Sequence, residues 1–177
     1  MIYASGRRRF LAHLIDAFLL GGALGFGLAL WVLANPSPEL AAYLNGESSA
    51  LPVITIPGWY WLFCLAAAWV YYVPFEVSGL QGSFGKFFAG IRMADLNGNP
   101  LTFGGANLRF VCKVAVGALY GAFAYLLSLL GALVSPLLSF ALAIAGIYTG
   151  YIVVAKSPAK QDLHDKWSGV VLLRRDS

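Results

Sequence analysis

The apolar positions of this chain fall in long runs. The first, residues 10–34, is broken only by His13 and Asp16. At about 25 residues it is long enough to cross a bilayer as a helix. A second run covers residues 58–75, and residues 114–155 carry no Asp, Glu, Lys or Arg at all. One helix of that last length would measure about 63 Å, twice the hydrocarbon thickness. It therefore reads as two spans with a tight turn near residues 131–136, Pro136 opening the second, where its missing N–H is not needed. The pattern predicts four spans, at about 10–34, 58–75, 111–131 and 136–155.

The segments between the runs have their own periodicity. Phe84, Phe87, Phe88 and Ile91 recur at i, i+3, i+4 and i+7. This predicts an amphipathic helix over 83–92, lying flat on the inner leaflet or on the bundle, with Lys86 and Arg92 snorkelling. Asn97-Gly98-Asn99-Pro100 between short apolar pieces predicts a β-hairpin over 92–103. Thr102 is a fair N-cap for a helix carrying Arg109 into the third span. In the tail, a turn at His164-Asp165 precedes a short apolar strand positioned to pair with that hairpin. The fold expected is a single all-α membrane domain, 1–177. It is a four-helix transmembrane bundle with a loop at 79–109, holding an amphipathic helix and a small β-hairpin, and a tail at 156–177.

Composition agrees. Hydrophobic residues make up 59% of the chain and charged residues only 11%, against about 25% in soluble domains. The charges are asymmetric. Arg7, Arg8 and Arg9 precede the first run, Lys86, Arg92, Arg109 and Lys113 lie around the middle loop, and Lys156, Lys160, Lys166, Arg174 and Arg175 lie in the tail. Residues 35–57 contain Glu39 and Glu47 and no basic residue. The positive-inside rule then places both termini and the middle loop in the cytoplasm. The basic face favours anionic lipids of the cytoplasmic leaflet, and its closeness to the membrane ends argues against nucleic acid. Trp31, Trp59, Tyr60 and Trp61 suit the outer interface, and Tyr71 and Tyr72 the inner one. Arg7-Arg8-Arg9 followed by an apolar run resembles an export signal, but the run is too long and contains Asp16. Gly21 and Gly25 form a small-residue face suited to close packing in the bundle or in a homo-oligomer. Cys64 and Cys112 read as small packing residues.

The candidate chemistry starts at Asp16. An ionised carboxylate inside a membrane helix costs roughly 2.5–3.5 kcal/mol, so it calls for a partner, water or a proton. Arg9, His13 and Asp16 share one helix face. Gly85-Lys86 lacks the remaining residues of a phosphate loop, Leu80 and Phe87 standing where glycine and a hydroxyl are needed. His164-Asp165 lacks companions for a metal site. No cofactor, metal or enzymatic constellation is expected.

Three separated stretches resemble the RDD family of bacterial membrane proteins. They are Arg9 to Asp16 with an alanine between; Glu76, Ser83-Phe84-Gly85-Lys86, Gly90-Ile91-Arg92, Asp95, Gly98 and Arg109; and His164-Asp165-Lys166 with Gly169. The arginine and two aspartates that name the family map onto Arg9, Asp16 and Asp165. Two positions depart: Ser83 stands where the family usually has Thr, and Gly169-Val170 where it has Gly-Thr. The resemblance implies a bacterial inner membrane and a transport role, sodium/proton exchange having been proposed for members. Together with the Asp16 argument it predicts a polar cluster of Arg9, His13, Asp16, Arg109 and Asp165, with Glu76, Lys86 and His164 as secondary members. Such a cluster serves small-ion (monovalent cation or proton) transport with Asp16 as the exchanging carboxylate. The alternative is a non-enzymatic scaffold or assembly factor in which the cluster is a structural lock.

Overall fold

The computed structural model describes residues 2–132, 157 and 160–175. Helix α1 (Gly6–Asp16) starts at Ser5, whose hydroxyl accepts from the Arg8 amide. A π-helical turn, Ala17–Gly21, follows directly on Asp16, and α2 (Gly22–Ala34) continues the span. A short α3 (Pro38–Leu44) has Ser37 as N-cap and Pro38 in its first turn. Then come α4 (Gly58–Val77), α5 (Phe84–Phe88), β1 (Ile91–Asp95), α6 (Phe103–Ala132), α7 (Leu163–Trp167) and β2 (Val170–Arg174).

Among the described residues, three helical stretches are long and apolar enough to cross a membrane: Gly6–Ala34, Gly58–Val77 and Phe103–Leu129. Their large apolar side chains face outward, Phe18 being 80% and Leu62 70% exposed. A soluble fold would bury such groups, whereas a bilayer removes the penalty. The fourth expected span, 136–155, and the turn before it lie outside the described residues. The third helix starts eight residues before the expected span, because Thr102 caps it: the Gly105 amide donates to Thr102 Oγ1 at 3.1 Å.

Contacts between the first span and α4 run in opposite directions along the two helices. Trp31 meets Trp59 edge-to-face at 5.7 Å, Tyr60 donates to the Leu24 carbonyl at 2.6 Å, and Tyr71 donates to Asp16 at 2.7 Å. The two are antiparallel. Helices α4 and α6 bury Tyr72, Val73, Ala106 and Phe110 between them, and Trp69 Nε1 donates to Asn107 Oδ1 at 2.8 Å. Around Gly21 and Gly25 an added Cβ meets nothing within 4 Å, so this small-residue face is unfilled by the described residues.

The expected hairpin does not form. The expected pairing with the tail does form: β1 meets β2 antiparallel, with Ile91 opposite Arg174 and Asp95 opposite Val170. Asp95 closes the turn that was to start the return strand, its Oδ1 accepting from the amides of Asn97 and Asn99. Pro100 and the Thr102 cap then leave no length for a strand before α6. The N-terminal residues lie along the other edge of β2: Ala4 donates to the Leu172 carbonyl and the Arg174 amide to the Ile2 carbonyl, each at 2.9 Å. Ala4, Ala12, Ile91, Met93, Val170 and Leu172 form the small core beneath. The sheet, α5, α7, the start of α1 and the start of α6 thus gather at one end of the molecule. Helix α3 and the chain before α4 occupy the other.

Candidate functional site

The polar end holds two buried arrangements. The first is built on Asp16, which is 3% exposed. Its Oδ1 accepts from Tyr71 Oη at 2.7 Å and from the Gly85 amide at 2.8 Å, and its Oδ2 accepts from Ser83 Oγ at 2.6 Å. Ser83 stands at the N-cap position of α5 but turns its hydroxyl to Asp16 rather than to its own helix. The carboxylate therefore supplies the acceptor that the first turn of α5 lacks. Gly85 is indispensable to this geometry. A Cβ there would lie 2.1 Å from the Ala12 carbonyl oxygen and 2.7 Å from Asp16 Oδ1.

The second arrangement is centred on Arg109, 3% exposed. Its Nε and Nη2 reach Asp165 Oδ1 at 2.9 and 2.8 Å, and its Nη1 reaches Glu76 Oε1 at 2.7 Å. Lys86 Nζ binds the same Glu76 oxygen at 2.9 Å. Arg9 Nη1 lies 3.5 Å from Asp165 Oδ2, and Arg9 Nε donates to the Ala4 carbonyl. His164 Nε2 sits 3.1 Å from Arg109 Nη2 and 3.2 Å from Asp165 Oδ1, while its Nδ1 lies 3.3 Å from Asp162 Oδ2. Lys113 Nζ rests over the Tyr72 ring, 3.4 Å from its centroid. One guanidinium thereby joins α4, α6 and α7, and Lys86 and Arg9 add α5 and α1. Two buried atoms of the network have no hydrogen-bond partner among the described residues: Glu76 Oε2 and Arg9 Nη2.

The electrostatics hold this network ionised at the tail. Burial alone would raise the Asp165 carboxyl. Arg109, the His164 hydrogen bond and Arg9 overcome it and hold the group well below the usual carboxylate range. Asp162 is lowered as well, burial being outweighed by its hydrogen bond with His164. Burial pulls the Lys86 ammonium below its ordinary value against the opposing pull of Glu76.

Of the residues expected to cluster, Arg9, Arg109 and Asp165 come together, joined by Glu76, Lys86 and His164. Asp16 does not join them. Its hydrogen-bond partners are two neutral hydroxyls and an amide from α4 and α5, while Lys86 and Lys113 lie near enough to feel its charge. His13 is exposed, since the buried stripe of α1 is narrow: Ala12 and Asp16 take it up against α5. Lys86 is likewise corrected. It is 7% exposed rather than snorkelling, and the outward face of α5 carries Phe87 and Phe88. The ion pair with Glu76 and the close approach at Gly85 set that rotation of the helix. Tyr71, read from sequence as an interface residue, is the contributor missed. A hydroxyl donor aimed at a carboxylate 55 positions away leaves no local signal.

Among the described residues no group of three or more His, Cys, Asp or Glu side chains is placed to hold a metal. Two clefts, of ≈ 520 and ≈ 150 Å³, lie at the opposite end; Pro38, Glu39 and Leu51 line the larger, and Trp31, Leu40 and Ile54 the smaller.

Comparison with curated proteins and with solved structures returned no match. The family model of the RDD family matches residues 3–169, a stretch that takes in α1, the loop and the tail helix that build both arrangements. This chain, with its apolar membrane-length helices, belongs to the RDD family.

Proposed function

We propose that this protein is a non-enzymatic membrane scaffold whose polar end is locked by the Arg109 network and by Asp16. It sits in a bacterial inner membrane with both termini cytoplasmic, and the outward aromatic face of α5 is its docking surface. The observation that carries this reading is the burial and hydrogen bonding of Asp16. All three of its hydrogen bonds come from neutral donors fixed on α4 and α5, and the group is buried. A carboxylate that exchanges ions needs water access and a free coordination position; a lock needs neither.

Small-ion exchange is the second reading, and one observation favours it. Glu76 is 1% exposed and its Oε2 has no partner among the described residues, which leaves one acceptor inside the spans open to a proton or a water molecule. Three nearby cations, Lys86, Arg109 and Lys113, oppose entry of a metal cation there.

Flux in proteoliposomes separates the two. Wild type, Asp16→Asn and Glu76→Gln are reconstituted at matched levels of folded protein, and sodium- or potassium-driven proton movement is recorded. The scaffold reading expects no movement in any of them and poor assembly of Asp16→Asn. Proton movement in wild type that disappears in folded Glu76→Gln overturns it in favour of exchange.

A further inference from the structure

His164 of α7 sits between an arginine of α6 and two carboxylates of its own helix. Its Nε2 lies 3.1 Å from Arg109 Nη2 and 3.2 Å from Asp165 Oδ1, and its Nδ1 lies 3.3 Å from Asp162 Oδ2. An arginine N–H can only donate, so Nε2 faces Arg109 as an acceptor. The ring proton then resides on Nδ1 and is donated to Asp162. The opposite tautomer would set a lone pair against that carboxylate. Asp162 is fixed in turn, its Oδ1 accepting from the Leu163 amide at 2.6 Å and from Tyr120 Oη of α6 at 3.3 Å. The neutral ring thus completes a chain of bonds that rests α7 on α6. His164 keeps 14% of its side-chain surface exposed against 2% for Asp165, so water delivers a proton to the ring while the carboxylate beneath is shut off.

We propose that His164 is a proton-operated latch: a second proton, taken up on Nε2, turns that atom from acceptor to donor, displaces Arg109 from Asp165 and loosens α7 from α6. Once protonated, Nε2 points an N–H at Arg109 Nη2, where two donors and two positive charges meet. The acceptor within its reach is Asp165 Oδ1, and Arg109 already fills that oxygen from Nε at 2.9 Å and Nη2 at 2.8 Å. A bond gained by the ring is therefore one lost by the guanidinium. Among the described residues, the other charged groups facing this locus come from α1 and α7. Arg9 shares Asp165 with Arg109, and His13 lies near enough to repel a charged ring. Asp162 and Asp165 draw the proton in, and Lys166, the remaining charge of α7, is exposed. Histidine ordinarily changes charge between about pH 5 and 8, a range in which arginine keeps its own. The inference rests on the lock reading and names what opens the lock.

The test is amide hydrogen exchange of the full chain in neutral detergent between about pH 8 and 5.5, read by mass spectrometry and corrected for the intrinsic effect of pH on exchange. Protection over Leu163–Trp167 is expected to fall about tenfold or more on acidification, the loss of one charge-assisted bond, with α4 unchanged. His164→Gln offers an amide in place of Nε2 and takes up no proton, so its protection is expected to stay level. His164→Asn serves where that variant does not fold. His13→Gln removes the other of the chain's two histidines and is expected to keep the wild-type response. Wild-type protection that stays level or rises on acidification overturns the latch. So does a fall retained in His164→Gln or lost in folded His13→Gln. None of these results touches the lock itself, whose failure is read separately as proton movement in the flux experiment.

Discussion

The Gly85 amide donates to Asp16 Oδ1 at 2.8 Å across an interface so close that a single methyl on residue 85 would meet the Ala12 carbonyl oxygen at 2.1 Å. The hydrogen bond and the missing side chain are one device. The absence of Cβ lets α5 sit on α1, and the carboxylate satisfies the helix end that arrives there.

Gly85→Ala is therefore expected to be the most damaging small substitution in α5. The obstacle is backbone, which does not swing aside as a side chain does, so overpacking of at least about 1–3 kcal/mol is added to loss of the Asp16 bonds. The check is thermal unfolding in detergent beside Gly79→Ala, where an added Cβ meets nothing within 4 Å. Equal melting temperatures for the two would contradict the packing argument.

Asp16→Asn keeps one acceptor but loses the charge and the second carboxylate oxygen, which accepts from Ser83. Three buried, charge-assisted bonds weaken together, and a destabilisation of about 2–4 kcal/mol is expected. Ser83→Ala removes one donor and should cost about 1–2 kcal/mol. Ser83→Thr, which retains the hydroxyl, should stay closer to wild type. Denaturant titration of the three variants gives the order directly.

Arg109 serves two carboxylates at once, so Arg109→Gln leaves Glu76 and Asp165 both short of their main partner. A loss of about 3–5 kcal/mol follows from breaking a buried pair on one side. Arg109→Lys should rescue little, since a point charge cannot span both acceptors as the planar fork does. Lys86→Met should cost distinctly less, because Glu76 retains Arg109. A melting series in which Lys86→Met is the worst of the three would refute this hierarchy.

Asp165 sets an acid limit on stability. Its folded value lies well below the 3.8 of the free group, so below that pH the unfolded chain binds more protons than the folded one. The stabilisation is complete above the unfolded value and drains away as pH falls through it toward the folded one. Wild type is thus expected to lose stability steadily below about pH 4, whereas Asp165→Asn starts lower and shows a flatter acid limb. Unfolding midpoints between pH 3 and 7 for both proteins check the slope, and identical slopes would exclude Asp165 as its source.

Much of the architecture was legible in the linear pattern. Three of the expected spans correspond to membrane-length helices, and the Thr102 cap and the tail strand lie where turn and cap chemistry place them. These are local properties. Run length, capping hydroxyls and breaker residues act within a few positions of one another and need no knowledge of the rest of the fold. The motif residues were legible too: Glu76, Arg109 and Asp165 are buried partners, and Arg9 is a half-buried one.

Pairing among them was not legible, because it depends on which helix comes between. Helical spacing puts Arg9 and Asp16 on one face of α1, yet α5 enters beside Asp16 while the tail enters beside Arg9, and one polar stripe divides into two sites. The same packing buries Lys86, which was expected to snorkel, and leaves Phe87 and Phe88 exposed, because aromatic periodicity signals amphipathicity without saying which side meets the protein. An ion pair with Glu76 and a 2.1 Å constraint at Gly85 decide that, and both lie on other segments of the chain. The sequence by itself determined the membrane-length helices, their caps and the supply of charged residues. Only the tertiary structure decided which charges meet, because burial makes each one take whichever partner the packing of distant helices brings within about 3 Å.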